Sequence, residues 1–446
     1  MIELTECIPG PKSINYMDRL KKLEAPGLTL DDSELSIVWA KSKGSKVYDV
    51  DENEYIDFAS GLNVANVGHS NSEVLNSVKD QLELMVHGMG DFHSNNKKIE
   101  FLEKMKEIVP LSDPKFIVSV NGSDAVDAAL KTASLFTGKS QYISFYGGYH
   151  GMGAKSLEVT ARNHFRDPFT KEIPRSTIFL PYPYELRNSI GDSTNYISEC
   201  LKLVEQTIEN SASGSNDVAA IIIESFQGRG GVVQAPKEFL RGLREICDRT
   251  GVLLIVDEIL SGMGRTGKWF GFEHSEIQPD IFTIGKGLSS GYPISVCCGN
   301  ENIMSIWGKF SGESVHTSTF QGNPIGCVMA KSTIEYMQKH NLIERSEELG
   351  EYFIKRLKSE IGQNENVGEI RGKGLMIGIE FVLDKDLKKP NSNLCWSVMK
   401  KALKRGIIFL NGGHEVNVLC LTPPLIIEKN EIDYCIETLK DILEER

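Results

Sequence analysis

Short apolar runs alternate with amphipathic stretches through the middle of this 446-residue chain, and that alternation limits its fold more than any other feature. FIVSV (116–120), QYISF (141–145), TIFLP (177–181), VAAIIIE (218–224), VLLIVDE (252–258), IFTI (281–284) and ISVCCG (294–299) read as strands. Near-continuous apolar strands belong to sheets buried on both faces. Between them, GSDAVDAALKTASLF (122–136) and PKEFLRGLREICDRTG (236–251) space their apolar residues as helices do. The second opens with Pro236 and closes with Gly251, the expected start and stop signals. The pattern predicts an α/β unit with a mainly parallel sheet covered on both faces.

The flanks differ in texture. Residues 1–60 are polar, with Pro9, Pro11 and Pro26 against a long helix. Within them 37–58 reads as a hairpin turning at Asp51-Glu52-Asn53. After about residue 330 come a long helical stretch (324–361), MIGIEFV (376–382), a helix near 393–405, IIFL (407–410) and a closing helix. A chain of this length needs more than one core. The expected division is an N-terminal segment (1–60) packing with a small domain, a large domain (61–329) and a small α+β domain (330–446).

The formal charge of -12 argues against nucleic acid or an anionic membrane as partner, though not against small anions in a local cationic pocket. The longest apolar runs are too short to span a bilayer, so no membrane partner is expected. The nine cysteines show no C-x-x-C and no disulfide spacing. Cys297 and Cys298 are neighbours on a strand and point to opposite faces, poorly placed to share a metal. The expectation is no metal, reduced thiols and a cytoplasmic location. MIELTECIPGPKS lacks a signal-peptide pattern, in keeping with that location.

Five places carry chemistry. Lys286, in TIGKGLSSGYP, follows the strand IFTI and sits between two glycines. Ligands of such sheets bind beyond the carboxyl ends of the strands, and a lysine there with a lowered pKa forms Schiff bases. Taken alone, it could equally be a surface lysine in a turn. Asp257 ends an apolar strand, where an unpaired charge is costly, so it needs a cationic partner such as a protonated pyridine nitrogen. A turn-capping role suits the adjacent Glu258 better. Asn121-Gly122-Ser123 opens a helix after a strand, which makes an anion site suited to phosphate. Tyr149, in YGGYHG, could lie flat on a cofactor ring or be a loop aromatic. Thr319, in HTSTFQGNP, offers a further phosphate donor or is an ordinary loop threonine.

Taken in this order, these segments resemble the class III pyridoxal-phosphate-dependent aminotransferases from about residue 35 to the end. NGSDAVDAALK resembles that family's phosphate-cup helix and YGGYHG its ring-stacking segment. IIIESFQGRGG, VDEILSGMGRTG, STFQGNP and LTPPLIIEKNEI resemble its further motifs, and TIGKGLSSGYP contains its lysine. The resemblance implies the pyridoxal-phosphate-dependent transferase type I fold, with a seven-stranded, mainly parallel large domain and a smaller α+β domain. It implies pyridoxal 5′-phosphate bound as a Schiff base to Lys286, which also moves the proton. Asp257 would pair with the ring nitrogen, and Gly122 and Ser123 would hold the phosphate. Tyr149 would stack on one ring face and Ile259 on the other, with Glu224 ordering the site. Thr319 would reach the phosphate of a second subunit, since the resemblance implies a homodimer with shared active sites. The implied reaction moves an amino group between an amino acid or amine and a keto acid or aldehyde, by a ping-pong mechanism.

Three positions depart from the family's pattern. Cys420 stands where members that handle glutamate carry an arginine. Arg229 stands where they often carry an acid. Leu260 replaces a glutamine found in some members. Arg229 is either the carboxylate-binding cation relocated to another loop or a solvent-facing loop residue. Amino-acid racemisation or epimerisation on the same fold is the alternative reaction. A nucleotide-binding oxidoreductase is a poor fit, because no G-x-G-x-x-G follows an early strand. A non-catalytic binding module has no need of both Lys286 and Asp257.

Overall fold

The computed structural model describes residues 4–187, 195–309 and 311–445. Its central sheet has seven strands: β1 (Pro114–Ser119), β2 (Gln141–Phe145), β3 (Thr177–Leu180), β4 (Val218–Glu224), β5 (Leu253–Asp257), β6 (Ile281–Ile284) and β7 (Ser295–Asn300). Their spatial order is β1-β7-β6-β5-β4-β2-β3. Neighbours from β6 to β3 pair in parallel, and β7 runs antiparallel to both β6 and β1. The mainly parallel seven-stranded sheet expected from the sequence is therefore present, with one reversed strand.

Two apolar clusters divide the side chains of these strands by face. Leu254 and Val256 of β5 join one cluster, and Leu253 and Ile255 join the other. In β7, Cys298 falls in the first and Cys297 in the second, the opposite facing that adjacent strand residues impose. Helix α1 (Gly122–Thr137) covers the second face with Ala125, Val126, Ala129, Leu130 and Ala133. Helix α2 (Lys237–Thr250) covers the first with Phe239, Leu240, Leu243 and Ile246. Both faces being buried explains why the strands read as apolar runs without alternation.

Register then lines up the polar strand ends. Asp257 pairs with Glu224 of β4 and with Thr283 of β6. Alternation puts all three on the α1 side, since Ile222, Ile255 and Ile281, each two residues earlier, belong to the cluster under α1. The adjacent Glu258 takes a different job. Its carboxylate accepts the N–H groups of Gly271 (2.7 Å) and Phe272 (2.9 Å) and the hydroxyls of Ser225 and Ser261. It caps the short helical turn Gly271–Ser275.

Beyond the sheet, α3 (Pro324–Lys339) and α4 (Leu342–Glu360) lead to an antiparallel sheet of β8 (Val367–Lys373), β9 (Met376–Asp384), β10 (Leu410–Gly412) and β11 (Val418–Leu421), ordered β8-β9-β11-β10. The single long helix expected over 324–361 is two, because Asn341 takes a left-handed conformation (φ 49°) between them. The run IIFL, expected as one strand, is also split. Ile407–Ile408 pairs in parallel with the N-terminal strand Glu54–Asp57, while β10 pairs with β11. Chain start and chain end thus share a sheet. Arg265, fully buried, ties VDEILSGMGRTG to the P-P-L stretch. It donates to the Leu375 carbonyl (3.1 Å), the Pro423 carbonyl and Asn66 Oδ1 (2.7 Å).

Candidate active site

The carboxyl ends of β4, β5 and β6 open onto a cavity of about 340 Å³, the crevice position favoured in parallel sheets. Ser123, Tyr149, Glu224, Asp257, Ile259 and Lys286 line it, with Gly122 and Arg229. All the residues given a site role from the sequence except Thr319 therefore converge on one space, while Cys420 does not line it.

Asp257 is 4% exposed and has three donors. The Ile259 backbone N–H reaches Oδ1 at 3.0 Å, and the Thr283 hydroxyl reaches it at 3.2 Å. Nδ1 of His150 lies 2.8 Å from Oδ2, and since a carboxylate only accepts, that nitrogen carries the proton. His150 is itself positioned by its backbone N–H, which donates to Thr160 Oγ1 at 2.9 Å.

Lys286 follows β6 after one residue, Gly285. Its backbone is left-handed (φ 44°), an uncommon conformation for a residue with a Cβ. Close packing requires the glycines around it. A Cβ at Gly287 would lie 2.3 Å from Asn66 Nδ2. Burial pulls the Lys286 amine below the ordinary lysine value and Arg229 adds to that, while Asp257 and Glu224 oppose it. The net effect favours the neutral, nucleophilic amine.

Glu224 accepts the backbone N–H groups of Tyr149 (2.9 Å) and Gly228 (3.0 Å), so it fixes the two loops that carry Tyr149 and Arg229. Burial pushes its carboxyl up from the ordinary 4.5 to about 7. The charge of Asp257 contributes, and His150 and the two N–H donors oppose the rise. The folded protein therefore holds a proton that the unfolded chain releases between about pH 4.5 and 7. This group's contribution to stability is greatest below pH 4.5 and is lost as pH rises through 7. Glutamine cannot ionise, so the stability of Glu224→Gln relative to the parent increases between pH 5 and pH 8. Urea unfolding of the cofactor-free proteins reads this, and a pH-independent difference refutes it.

At the other end of the cavity wall, α1 starts with Gly122 and Ser123. The Asn121 side chain accepts the Asp124 N–H (3.1 Å), and the N–H groups of Gly122 and Ser123 have no partner within the helix. Gly151 (φ 124°) lies so close that a Cβ there would sit 2.2 Å from Ser123 Oγ. Tyr149 packs on Phe165 with ring centroids 5.1 Å apart, and the Arg229 guanidinium lies 5.8 Å from the Tyr149 ring centroid.

The description aminotransferase class-III matches residues 29–443. The chain belongs to the class III aminotransferases. It is similar to a leucine/methionine racemase of Thermococcus litoralis, 35% identical over 91% of this chain and 90% of that protein. It is also similar to an acetylornithine aminotransferase of Methanosarcina acetivorans, 34% identical over 92% of this chain and 91% of that protein. Among solved structures, an aminotransferase of Bacillus anthracis superposes with a TM-score of 0.89 at 30% identity, covering 98% of this chain and 99% of that one. This aminotransferase is a pyridoxal 5′-phosphate-dependent transaminase of fold type I.

The cavity fits that cofactor. Free N–H groups and a hydroxyl at the start of α1 suit a phosphate. The buried Asp257 carboxylate, matched only in part by its neutral donors and His150, suits a cationic ring nitrogen. Ile259 packs against the start of α1, where a Cβ on Gly122 would come within 3.2 Å of Ile259 Cγ2, so the glycine lets this cavity wall and the helix start close up. Thr319 is exposed and lies outside this cavity within one chain.

Two functional neighbours escaped the sequence reading of this aminotransferase. His150 stood in the quoted YGGYHG, but its partner Asp257 is 107 residues away and meets it only through the sheet. Arg162 donates to the carbonyls of Arg229 and Gly413 and so pins the Arg229 loop. No local signal marks it. Among the described residues no group of His, Cys, Asp and Glu could hold a metal ion, and no helix is long and apolar enough to cross a membrane.

Proposed function

We propose that this aminotransferase acts on amino donors bearing a carboxylate, and that Arg229 binds that carboxylate. One observation carries the reading. The Arg229 guanidinium lines the cavity beside Lys286 and packs over Tyr149, and no carboxylate pairs with it among the described residues. A planar guanidinium gives a carboxylate two parallel hydrogen bonds, which Cys420 cannot do. Cys420 is buried, and burial pushes its thiol up to about 11, so it offers no charge to a substrate.

Pyridoxal phosphate, when bound, supplies an aldehyde that condenses with amines and a ring that accepts an electron pair. The remaining work falls to the chain. Lys286 would hold the cofactor, and its amine would take and give back the proton at the donor carbon. Asp257 would face the ring nitrogen and favour its protonated form, and His150 keeps Asp257 in place. Gly122 and Ser123 hold the phosphate, and Tyr149 and Ile259 hold the ring between them. Glu224 orders the loops of Tyr149 and Arg229. Thr319, exposed in one chain, reaches the phosphate of a second copy in a homodimer.

Arg229→Ala raises KM for carboxylate-bearing donors by about 10–100-fold, the loss of a charge-assisted pair, and leaves simple amines within a few-fold of the parent. Steady-state kinetics with matched amino acids and amines measures this. Equal losses on both classes overturn the carboxylate role.

The similarity to a racemase supports a second reading, amino-acid racemisation. It needs a proton donor on the substrate face away from Lys286. Arg229 is always charged and a poor base, which leaves the Tyr149 phenol or a water. Incubating one enantiomer without keto acid separates the two. Racemisation runs on, whereas transamination halts after one half-turnover.

A further inference from the structure

A second cavity, of about 130 Å³, adjoins the first and shares Tyr149, Arg229, Leu260 and Lys286 with it. Leu62, Val232, Met376 and Leu410 give it apolar walls, and among the described residues no acidic side chain lines it. Three of its lining residues, Asn63, Asn411 and Thr422, are polar and uncharged. Each has a buried side-chain atom with no hydrogen-bond partner among the described residues: Oδ1 of Asn63, Nδ2 of Asn411 and Oγ1 of Thr422. Asn63 is 7% exposed and Thr422 is 2% exposed. Buried polar groups in folded proteins are nearly always paired, so three orphans around one small space call for a partner.

The three come from separate parts of the chain. Asn411 lies in β10, and Thr422 directly follows β11. Asn63 ends a turn in which Ser60, Gly61, Leu62 and Asn63 all have positive φ (47°, 55°, 69° and 64°). Such strain persists only where the surroundings over-determine it. Here the Asp57 carboxylate accepts the N–H groups of Ala59 (2.8 Å) and Gly61 (2.7 Å), and the Ser60 hydroxyl donates to the Thr422 carbonyl (2.7 Å). The turn that delivers Asn63 is thus fastened to the residue that supplies the third orphan.

We propose that this cavity receives the side chain of the amino donor and selects a short, uncharged one ending in a carboxamide. The proposal rests on Arg229 holding the donor's carboxylate, which leaves the side chain facing the second cavity. Asn63 Oδ1 needs a donor, Asn411 Nδ2 needs an acceptor, and the Thr422 hydroxyl serves either. A carboxamide supplies both, with its NH2 donating to Asn63 Oδ1 and its carbonyl accepting from Asn411 Nδ2. A carboxylate has no donor for Asn63. An ammonium has no acceptor for Asn411 and faces Arg229 and Lys286. An aliphatic group leaves all three orphans unpaired.

The test compares asparagine, leucine and aspartate, which share a shape, and adds glutamine against glutamate. Half-reaction rates of the holoenzyme give kcat/KM. Calorimetric titration with α-methylasparagine and α-methylleucine, which have no proton to lose, gives binding alone. The carboxamides are preferred at least about 10-fold in both readouts. The ratio of asparagine to leucine collapses toward one in Asn411→Leu and in the isosteric Thr422→Val. Equal or better use of leucine or aspartate by the parent enzyme overturns the proposal, as does a ratio unchanged in both variants. A pair without the carboxylate, 3-aminopropanamide and 3-methylbutylamine, separates this proposal from the role of Arg229. If the amide is preferred there too, the cavity reading survives a failure at Arg229. If neither pair shows a preference, it falls whatever Arg229 does.

Discussion

Lys286→Ala lowers turnover of the cofactor-loaded enzyme by at least about 10³-fold, because both the covalent anchor and the proton carrier are lost. The amine is suited to both tasks by its placement. Burial pulls its pKa below the ordinary lysine value, so a larger share is neutral near pH 7. Alanine leaves the fold alone, since Lys286 makes no side-chain ion pair among the described residues and its left-handed backbone (φ 44°) is flanked by Gly285 and Gly287. Lys286→Arg does not rescue activity, because a guanidinium cannot give up its proton. Hydride reduction followed by intact-mass and peptide analysis gives a second readout. The parent gains the mass of the cofactor on the peptide containing Lys286, and the variant gains none. Undiminished turnover in Lys286→Ala, or an adduct on another lysine, removes the basis for the assigned roles.

Much of this was legible in the sequence, for a physical reason. Strands buried on both faces leave little room for polar residues, so each polar residue ending such a run stands out. Glu224 and Asp257 end β4 and β5, and Lys286 follows β6. Asn121, Gly122 and Ser123 were legible because helix starts have their own residue chemistry. What the sequence hid depends on contacts between distant segments. His150 meets Asp257 only because the loop that carries it reaches the carboxyl end of β5. The second cavity draws on residues 62–63, 228–232, 376 and 410–422, and no periodicity joins them. The split of IIFL between two sheets depends on the N-terminal strand Glu54–Asp57 being close enough to pair with its first half. The break between α3 and α4 depends on one asparagine adopting a left-handed conformation, which apolar spacing does not record.

Asp257→Asn lowers kcat by about 10²–10³-fold, the scale on which preorganised electrostatic groups act. The substitution keeps the shape, so the Ile259 N–H at Oδ1 can still be accepted. It removes the negative charge proposed to keep the ring nitrogen protonated and the ring able to accept electrons. The loss therefore falls on kcat, with KM for the amino donor changed little. Asp257→Ala does something different. It strips the acceptor from His150 Nδ1, the Ile259 N–H and the Thr283 hydroxyl at a site 4% exposed. Leaving such donors unpaired costs about 1–3 kcal/mol each, so the alanine variant also unfolds at lower urea. Comparing the two separates charge from packing. If the asparagine variant keeps kcat within a few-fold of the parent, the carboxylate is not paired with the ring, and its place at the end of β5 would answer only to His150 and the strand beside it.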